Sequence, residues 1–150
     1  MRCGLIRLSS EVADFLSYDT SEIDDNTVDN LSTREILLRA KGVCQHYSNL
    51  YVAMARAMGI PARMVEGFII TEKGLVGHSW VEVKVSDTVW WPLDPQVAGA
   101  VQLPSRKYLP VSVDHSYEAI STDPSVRASI ILGGTWLDIK YADATVQNLP

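Results

Sequence analysis

One amphipathic helix, followed at once by strand patterns, constrains the fold of this chain most strongly. Apolar residues recur at helical spacing over residues 44–58, and their stripe is broad enough to be buried in a core. The stripe consists of Tyr47, Leu50, Tyr51, Met54, Ala55 and Met58. Gly59 is predicted to end this helix, and Pro61 prevents its continuation. The sequence thus predicts a central helix around which the rest of the chain packs.

Alternating apolar residues after the central helix predict a run of antiparallel strands. Short turns separate three such segments, which are residues 62–70, 76–85 and 88–93. Within the second segment Val81, Val83 and Val85 share one face, while His78 and Trp80 share the other.

Two shorter helices are predicted before the central one. The first covers residues 9–17 and begins with serine, a common capping residue. The second covers residues 32–41, where Ser32 and Glu35 have the spacing of a capping box. Gly42 is predicted to end this second helix.

The remaining segments complete the prediction of an α+β fold. Polar residues 19–30 predict a solvated loop, and the proline-rich residues 98–116 predict irregular structure. Residues 126–132 and 135–141 predict a final hairpin. Helices followed by meandering strands indicate the α+β class, and 150 residues suit one domain over residues 1–150.

Charge and hydropathy exclude several classes of function. The net charge is −5 and no basic run occurs, so no nucleic-acid partner is expected. No apolar stretch reaches transmembrane length, so no membrane segment is expected. The first residues do not form a signal peptide, which predicts a cytoplasmic protein unless the sequence is a domain of a larger exported one. No oligomeric state is predicted.

The cysteines and histidines do not show the spacing of a metal site. The sequence lacks CxxC, HxxxH and HExxH patterns, so neither a metal nor another cofactor is expected. Cys3 and Cys44 do not make the disulfide framework of a secreted protein, and both are expected to be free thiols.

Cys44 is the first candidate for chemistry, because it lies in the first turn of the central helix. The unpaired N–H groups and positive dipole end at this position favour a thiolate and can stabilise an oxyanion. A buried structural cysteine is the alternative.

His78 and Asp94 are the candidate partners of this thiol. The short connections between the strands make the helix and both strands neighbours in space. His78 could then act as a base and Asp94 could orient its ring. The alternatives are a structural histidine and a turn aspartate. His46 is closer in sequence but points away from the Cys44 side of the helix, and His115 lies in the irregular tail.

Four motifs together resemble the transglutaminase-like superfamily of papain-like cysteine enzymes. They are GVCxxY at 42–47, GIPAR at 59–63, GHSWVEV at 77–83 and WxxLDP at 90–95, and the resemblance covers residues of about 30–97. It implies a papain-like fold in which the cysteine helix packs on an antiparallel sheet. It also implies that Cys44 is the nucleophile, His78 the general base and acid, and Asp94 the orienting carboxylate.

The chain departs from the large transglutaminases in its upstream region. Those enzymes place an indole before the cysteine as an oxyanion donor, whereas residues 1–43 contain neither tryptophan nor glutamine. Tyr18 and Gln45 are the candidate replacements. The tryptophans near the motifs, Trp80, Trp90 and Trp91, are either aromatic core or the wall of a substrate cleft that keeps water from a thioester.

The expected function is thiol-dependent acyl transfer or hydrolysis at an amide bond. The acyl group would be held as a thioester on Cys44, and the substrate would be a protein or peptide. The alternative is a non-catalytic protein-binding module that retains the fold.

Overall fold

Three helices with two short strands between them come first in the described part of the chain, and the longer strands follow. The computed structural model describes residues 2–21, 31–97, 108–113, 128–132, 135–140 and 143–147. The helices are α1 (Arg2–Phe15), α2 (Thr33–Arg39) and α3 (Cys44–Ala57). The strands are β1 (Ser17–Tyr18), β2 (Lys41–Gly42), β3 (Ala62–Thr71), β4 (Gly74–Lys84), β5 (Trp90–Leu93), β6 (Tyr108–Val113), β7 (Ala128–Leu132), β8 (Thr135–Lys140) and β9 (Asp143–Gln147). Within these ranges no helix has the length and hydropathy needed to cross a membrane.

The strands form two antiparallel sheets and one short parallel pair. The four-stranded sheet has the order β5-β4-β3-β6, and the three-stranded sheet has the order β7-β8-β9. β1 and β2 pair in parallel, with Ser17 opposite Lys41 and Tyr18 opposite Gly42. The class is therefore α+β, as the sequence predicts.

Helix α3 is the centre of the packing, as its apolar stripe predicts. It contacts α1, α2, β3 and β4. The core cluster around it consists of Leu5, Leu8, Val12, Leu16, Ile36, Tyr47, Leu50, Tyr51, Val52, Ala55, Ala62, Val81, Val83 and Leu93. Because each fully buried aliphatic side chain contributes about 2 kcal/mol, this cluster is the main stabilising element of the helix–sheet interface.

The stripe prediction is wrong at its C-terminal end. Met54 is 38% exposed and Met58 is 56% exposed, while Ala55 between them is fully buried. Among the described residues, the last turn of α3 is therefore covered on the side of Ala55 and exposed on the side of the two methionines. At the other end of the helix His46 and Ser48 are buried in addition to the predicted residues, because α1, α2 and the sheet surround this part.

The boundaries of the two earlier helices differ from the prediction. α1 begins at Arg2 rather than at residue 9, and its buried residues Leu5 and Leu8 precede the predicted start. The hydroxyl of Ser9 faces inward and donates to the backbone oxygen of Asp94 at 3.5 Å, so this serine does not cap the helix.

The capping box of α2 is confirmed. Glu35 N–H donates to Ser32 Oγ at 3.3 Å, and Ser32 N–H donates to Glu35 Oε2 at 2.8 Å. The end of this helix is not at Gly42. Ala40 adopts a left-handed conformation with φ of 51° and ends the helix after Arg39, which leaves the next residues to form β2.

The predicted strands are present, and four further strands are found, which are β1, β2, β6 and β9. β3, β4 and β5 match the three predicted segments, and β7 and β8 match the predicted hairpin. Of these additional strands, β6 lies within the segment predicted to be irregular. Pro110 lies on β6, which is an edge of the four-stranded sheet. An edge position tolerates proline because one side of the strand needs no N–H donor.

Candidate active site

Cys44 is the first residue of α3, and the turn before it is held by a buried histidine. Val43 has an extended backbone and its N–H donates to His46 Nδ1 at 3.0 Å. A side chain at Gly42 would overlap the ring of His46, so only glycine fits in front of this imidazole. His46 therefore supports the start of the helix. Cys44 itself is half-buried and, like Cys3, is a free thiol.

His78 connects the other two predicted residues. Its Nε2 lies 2.7 Å from Asp94 Oδ2, and its ring is also hydrogen-bonded to the side chain of Cys44. Since Nε2 is occupied by the carboxylate, Nδ1 is the ring nitrogen that remains for another partner. The structure thus brings Cys44, His78 and Asp94 together in the predicted order.

Asp94 is held in place by three hydrogen bonds to its carboxylate. In addition to His78, the backbone N–H of Gln96 donates to Oδ1 at 3.1 Å and the hydroxyl of Tyr108 donates to Oδ2 at 2.9 Å. The residue is only 4% exposed. A buried carboxylate with three donors is well satisfied and has one fixed orientation toward the imidazole.

The environment of His78 favours the imidazolium form. Burial of the ring lowers its pKa, but hydrogen bonds to Asp94 and Cys44 and the charges of these two groups raise it more strongly, to about 9. The side chain is 9% exposed, so water does little to screen these interactions. At neutral pH this histidine can carry a proton between the thiol and a bound molecule.

The three predicted cleft tryptophans have different surroundings. Trp80 is buried and its ring is stacked with that of His78, at a centroid distance of 6.4 Å. Trp90 lies under the guanidinium of Arg63 at 4.1 Å. Trp91 packs against the core cluster. Trp80 is thus in contact with the histidine and is also buried in the core, while Trp91 is a partly buried neighbour of the core.

Tyr18 lies close to the thiol, as its candidate role requires. Burial raises the pKa of this phenol, and the negative charge of Cys44 raises it further. The side chain is 43% exposed, so its hydroxyl can meet a molecule bound at the cysteine. Gln45, the other candidate donor, is the second residue of α3 and is half-buried.

Three contacts fix the segment that carries Tyr18 to the start of α3. The N–H of Asp19 donates to the oxygen of Gly42 at 3.0 Å. The carboxylate of Asp19 pairs with Lys41 Nζ at 2.8 Å, and the hydroxyl of Tyr47 donates to the oxygen of Leu16 at 2.7 Å. The tyrosine of the GVCxxY motif is therefore a support for this segment.

The sequence does not reveal Tyr108, the additional residue at this site. It is the first residue of β6, and its hydroxyl reaches the carboxylate because β6 pairs with β3. No local pattern signals this pairing, since the two strands are far apart in the chain. The predicted rival His115 lies outside the described residues.

Comparisons with known proteins identify the family and the fold. A family profile described as the transglutaminase-like superfamily matches residues 2–95. An uncharacterised protein of Mycobacterium leprae is 26% identical over 113 residues, which cover 70% of this chain and 38% of that protein. This chain thus spans well under half the length of the relatives that it matches.

Solved structures with the same fold include two bacterial proteins. Legionella pneumophila LapG gives a TM-score of 0.61 at 18% identity, over 77% of this chain and 65% of that one. A Cytophaga hutchinsonii protein, provisionally described as a cysteine protease, gives a TM-score of 0.60 at 18% identity, over 75% of this chain and 36% of that one. The predicted papain-like fold is confirmed by these similarities. With a family profile that matches more than half of its residues, the chain belongs to the transglutaminase-like superfamily.

Proposed function

We propose that this protein cleaves an amide bond of a protein or peptide and transfers its acyl group, held as a thioester on Cys44, to water or an amine. The observation that carries the proposal is the single imidazole of His78, bonded to Asp94 on one side and to the Cys44 thiol on the other. A thiol, a base and an orienting carboxylate in this order are the requirements of nucleophilic catalysis by cysteine. Membership of the superfamily supports it.

The first half of the reaction forms the thioester. The proton of the thiol passes to Nδ1 of His78, and the resulting thiolate attacks the carbonyl carbon of the substrate amide. When the C–N bond breaks, the imidazolium returns this proton to the departing nitrogen, which leaves as an amine. Asp94 remains ionised and stabilises the imidazolium throughout.

The negative oxygen that develops on the carbonyl needs hydrogen-bond donors. The backbone N–H of Cys44 is one of the first helical N–H groups, which have no acceptor within the helix. We assign the hydroxyl of Tyr18 as the second donor, because Tyr18 interacts electrostatically with Cys44 and pairs with Gly42, two residues before it. Removing one such donor typically reduces kcat by about 100-fold or more.

The second half of the reaction releases the acyl group. Water or a primary amine attacks the thioester carbon, His78 accepts a proton from the attacking atom, and the C–S bond breaks with return of that proton to the sulfur. Water gives a carboxylic acid and an amine gives a new amide. Both outcomes regenerate the same free enzyme.

Two assays test the proposal and distinguish the acceptors. Dimethylcasein and dansylcadaverine report transfer by incorporation of the fluorescent amine, and fluorescently labelled casein reports hydrolysis by release of small peptides. The expected result is product with the wild-type protein and none with Cys44→Ala or His78→Ala. Cys3→Ala is the matched control, because it removes the exposed thiol of α1 and leaves the site intact.

A different outcome would favour the binding-module alternative. If neither assay gives a product that depends on Cys44, and iodoacetamide alkylates Cys44 no faster than Cys3 at pH 6, the thiol is not activated and the catalytic proposal fails.

A further inference from the structure

Tyr108 and His78 share one oxygen atom of Asp94. The hydroxyl of Tyr108 donates to Oδ2 at 2.9 Å, and Nε2 of His78 lies 2.7 Å from the same atom. The other oxygen, Oδ1, receives only the backbone N–H of Gln96 among the described residues. The phenol thus competes directly with the imidazole for the charge of the carboxylate.

The fold places this phenol with little freedom. β6 approaches β3 so closely that a side chain at Gly67 would overlap the carbonyl oxygen of Leu109 and would lie 2.9 Å from the ring of Trp80. The register of β3 and β6 shifts between Glu66 and Gly67. A bulge of this kind commonly redirects a neighbouring side chain, and Tyr108 is at the start of β6.

Aromatic contacts hold the ring of Tyr108 against the histidine. Its centroid lies 5.8 Å from that of His78 at an interplanar angle of 71°, and 5.3 Å from that of Trp80 at 88°. Both are edge-to-face arrangements, which aromatic pairs favour. Burial raises the pKa of the phenol, and the charge of Asp94 raises it further. Tyr108 therefore stays protonated and remains a donor at neutral pH.

We propose that Tyr108 is a positioning residue that fixes Asp94 and limits how strongly its Oδ2 holds the ring of His78. The role of this residue in turnover rests on the proposed function, whereas its effect on His78 does not. An imidazolium that is held too strongly is a poor acid toward the departing nitrogen. The second donor on Oδ2 keeps the proton available for transfer.

The ionisable groups that face His78 determine how the effect of Tyr108 on this ring must be measured. Asp94 follows β5, Cys44 begins α3 and Tyr108 begins β6, while Tyr18 on β1 adjoins the thiol. Because Cys44 contributes to the raised pKa of His78, the ring is best followed after the thiol has been removed. In a Cys44→Ala background the carboxylate and the phenol are the remaining ionisable groups in contact with the imidazole among the described residues.

The experiment is an NMR titration of His78 in that background. Two-bond ¹H–¹⁵N spectra give the pKa of the ring in Cys44→Ala alone and in the same protein with Tyr108→Phe or Tyr51→Phe. Tyr51 is the matched control, because its buried hydroxyl donates to Leu5 O at 3.2 Å, in the core and away from Asp94. We expect Tyr108→Phe to raise the pKa of His78 by about half a unit or more, and Tyr51→Phe to leave it unchanged.

A purely structural role for Tyr108 would give a different result. An unchanged or lowered pKa of His78 in Tyr108→Phe would overturn the proposal, because the phenol would then not compete for Oδ2. In protein that retains Cys44, the alkaline limit of the casein assay should move upward with Tyr108→Phe. Absence of any Cys44-dependent product would contradict the proposed function and leave the NMR result to decide the role of Tyr108.

Discussion

Replacement of Asp94 by asparagine tests the electrostatic reasoning most directly. The substitution keeps the size of the side chain, removes its charge and weakens its hydrogen bond to His78. These two interactions of Asp94, together with those of Cys44, raise the pKa of His78 to about 9 from 6.5. That difference corresponds to about 3 kcal/mol in favour of the imidazolium. Burial of the ring acts in the opposite direction and remains in the variant.

The expected result is a fall in the pKa of His78 to about 6.5 or lower. Two-bond ¹H–¹⁵N spectra measure it, with the three histidines assigned by comparison with a His78→Gln variant. Iodoacetamide should then modify Cys44 at pH 6 at least about tenfold more slowly than in the wild type, because less imidazolium is available to stabilise the thiolate.

The control is Asp87→Asn, the same change in an exposed turn, which should alter neither the titration nor the alkylation rate. A thermal melt shows that the Asp94→Asn protein is folded. If folded Asp94→Asn protein keeps a His78 pKa near 9, the carboxylate is not the source of the raised value, and the reasoning about this site is refuted.

Three further predictions concern the supports of the site. Gly42→Ala should lower the free energy of unfolding, measured in urea, by about 2 kcal/mol or more, because the new methyl group overlaps a buried imidazole. The control is Gly4→Ala on α1, where the methyl group has open space and should raise the free energy of unfolding by up to about 1 kcal/mol. Ser32→Ala should cost about 1 kcal/mol in the same assay through loss of the capping box, and an unchanged midpoint would contradict it. The hydrogen bond from Lys41 and further contacts lower the pKa of Asp19 to about 2 from 3.8. The ionised carboxylate of Asp19 therefore stabilises the fold above pH 3.8, and this stabilisation is lost as the pH falls toward 2. In Lys41→Met an NMR titration should find this pKa closer to 3.8, and no change would exclude the ion pair as its cause.

Local signals in the sequence were sufficient for the elements that carry the three predicted site residues. The helical stripe, the capping box at Ser32 and the alternation in β4 each depend on residues within a few positions of one another. His78 and Asp94 could be placed beside Cys44 because short turns leave consecutive strands few alternatives.

Other features could not be predicted because they depend on contacts between distant segments. The presence of Pro110 led to a prediction of irregular structure, but β6 accommodates this proline because it is an edge strand of the sheet. The exposure of Met54 and Met58 reflects how far the neighbouring elements extend along α3, which no periodicity encodes. The contact of Tyr108 with Asp94 follows from the β3–β6 pairing alone.

The short parallel pairing of β1 with β2 has a consequence for engineering this protein. Tyr18 and the start of α3 move as one unit, because Ser17 N–H donates to Ala40 O and Asp19 N–H donates to Gly42 O, each at 3.0 Å. The connection between Ser21 and Leu31 therefore does not determine the position of Tyr18, which these hydrogen bonds already fix relative to the start of α3. Doubling the length of such a connection costs only about 0.6 kcal/mol in closure entropy. A tag or reporter inserted there should leave the spacing between phenol and thiol unchanged.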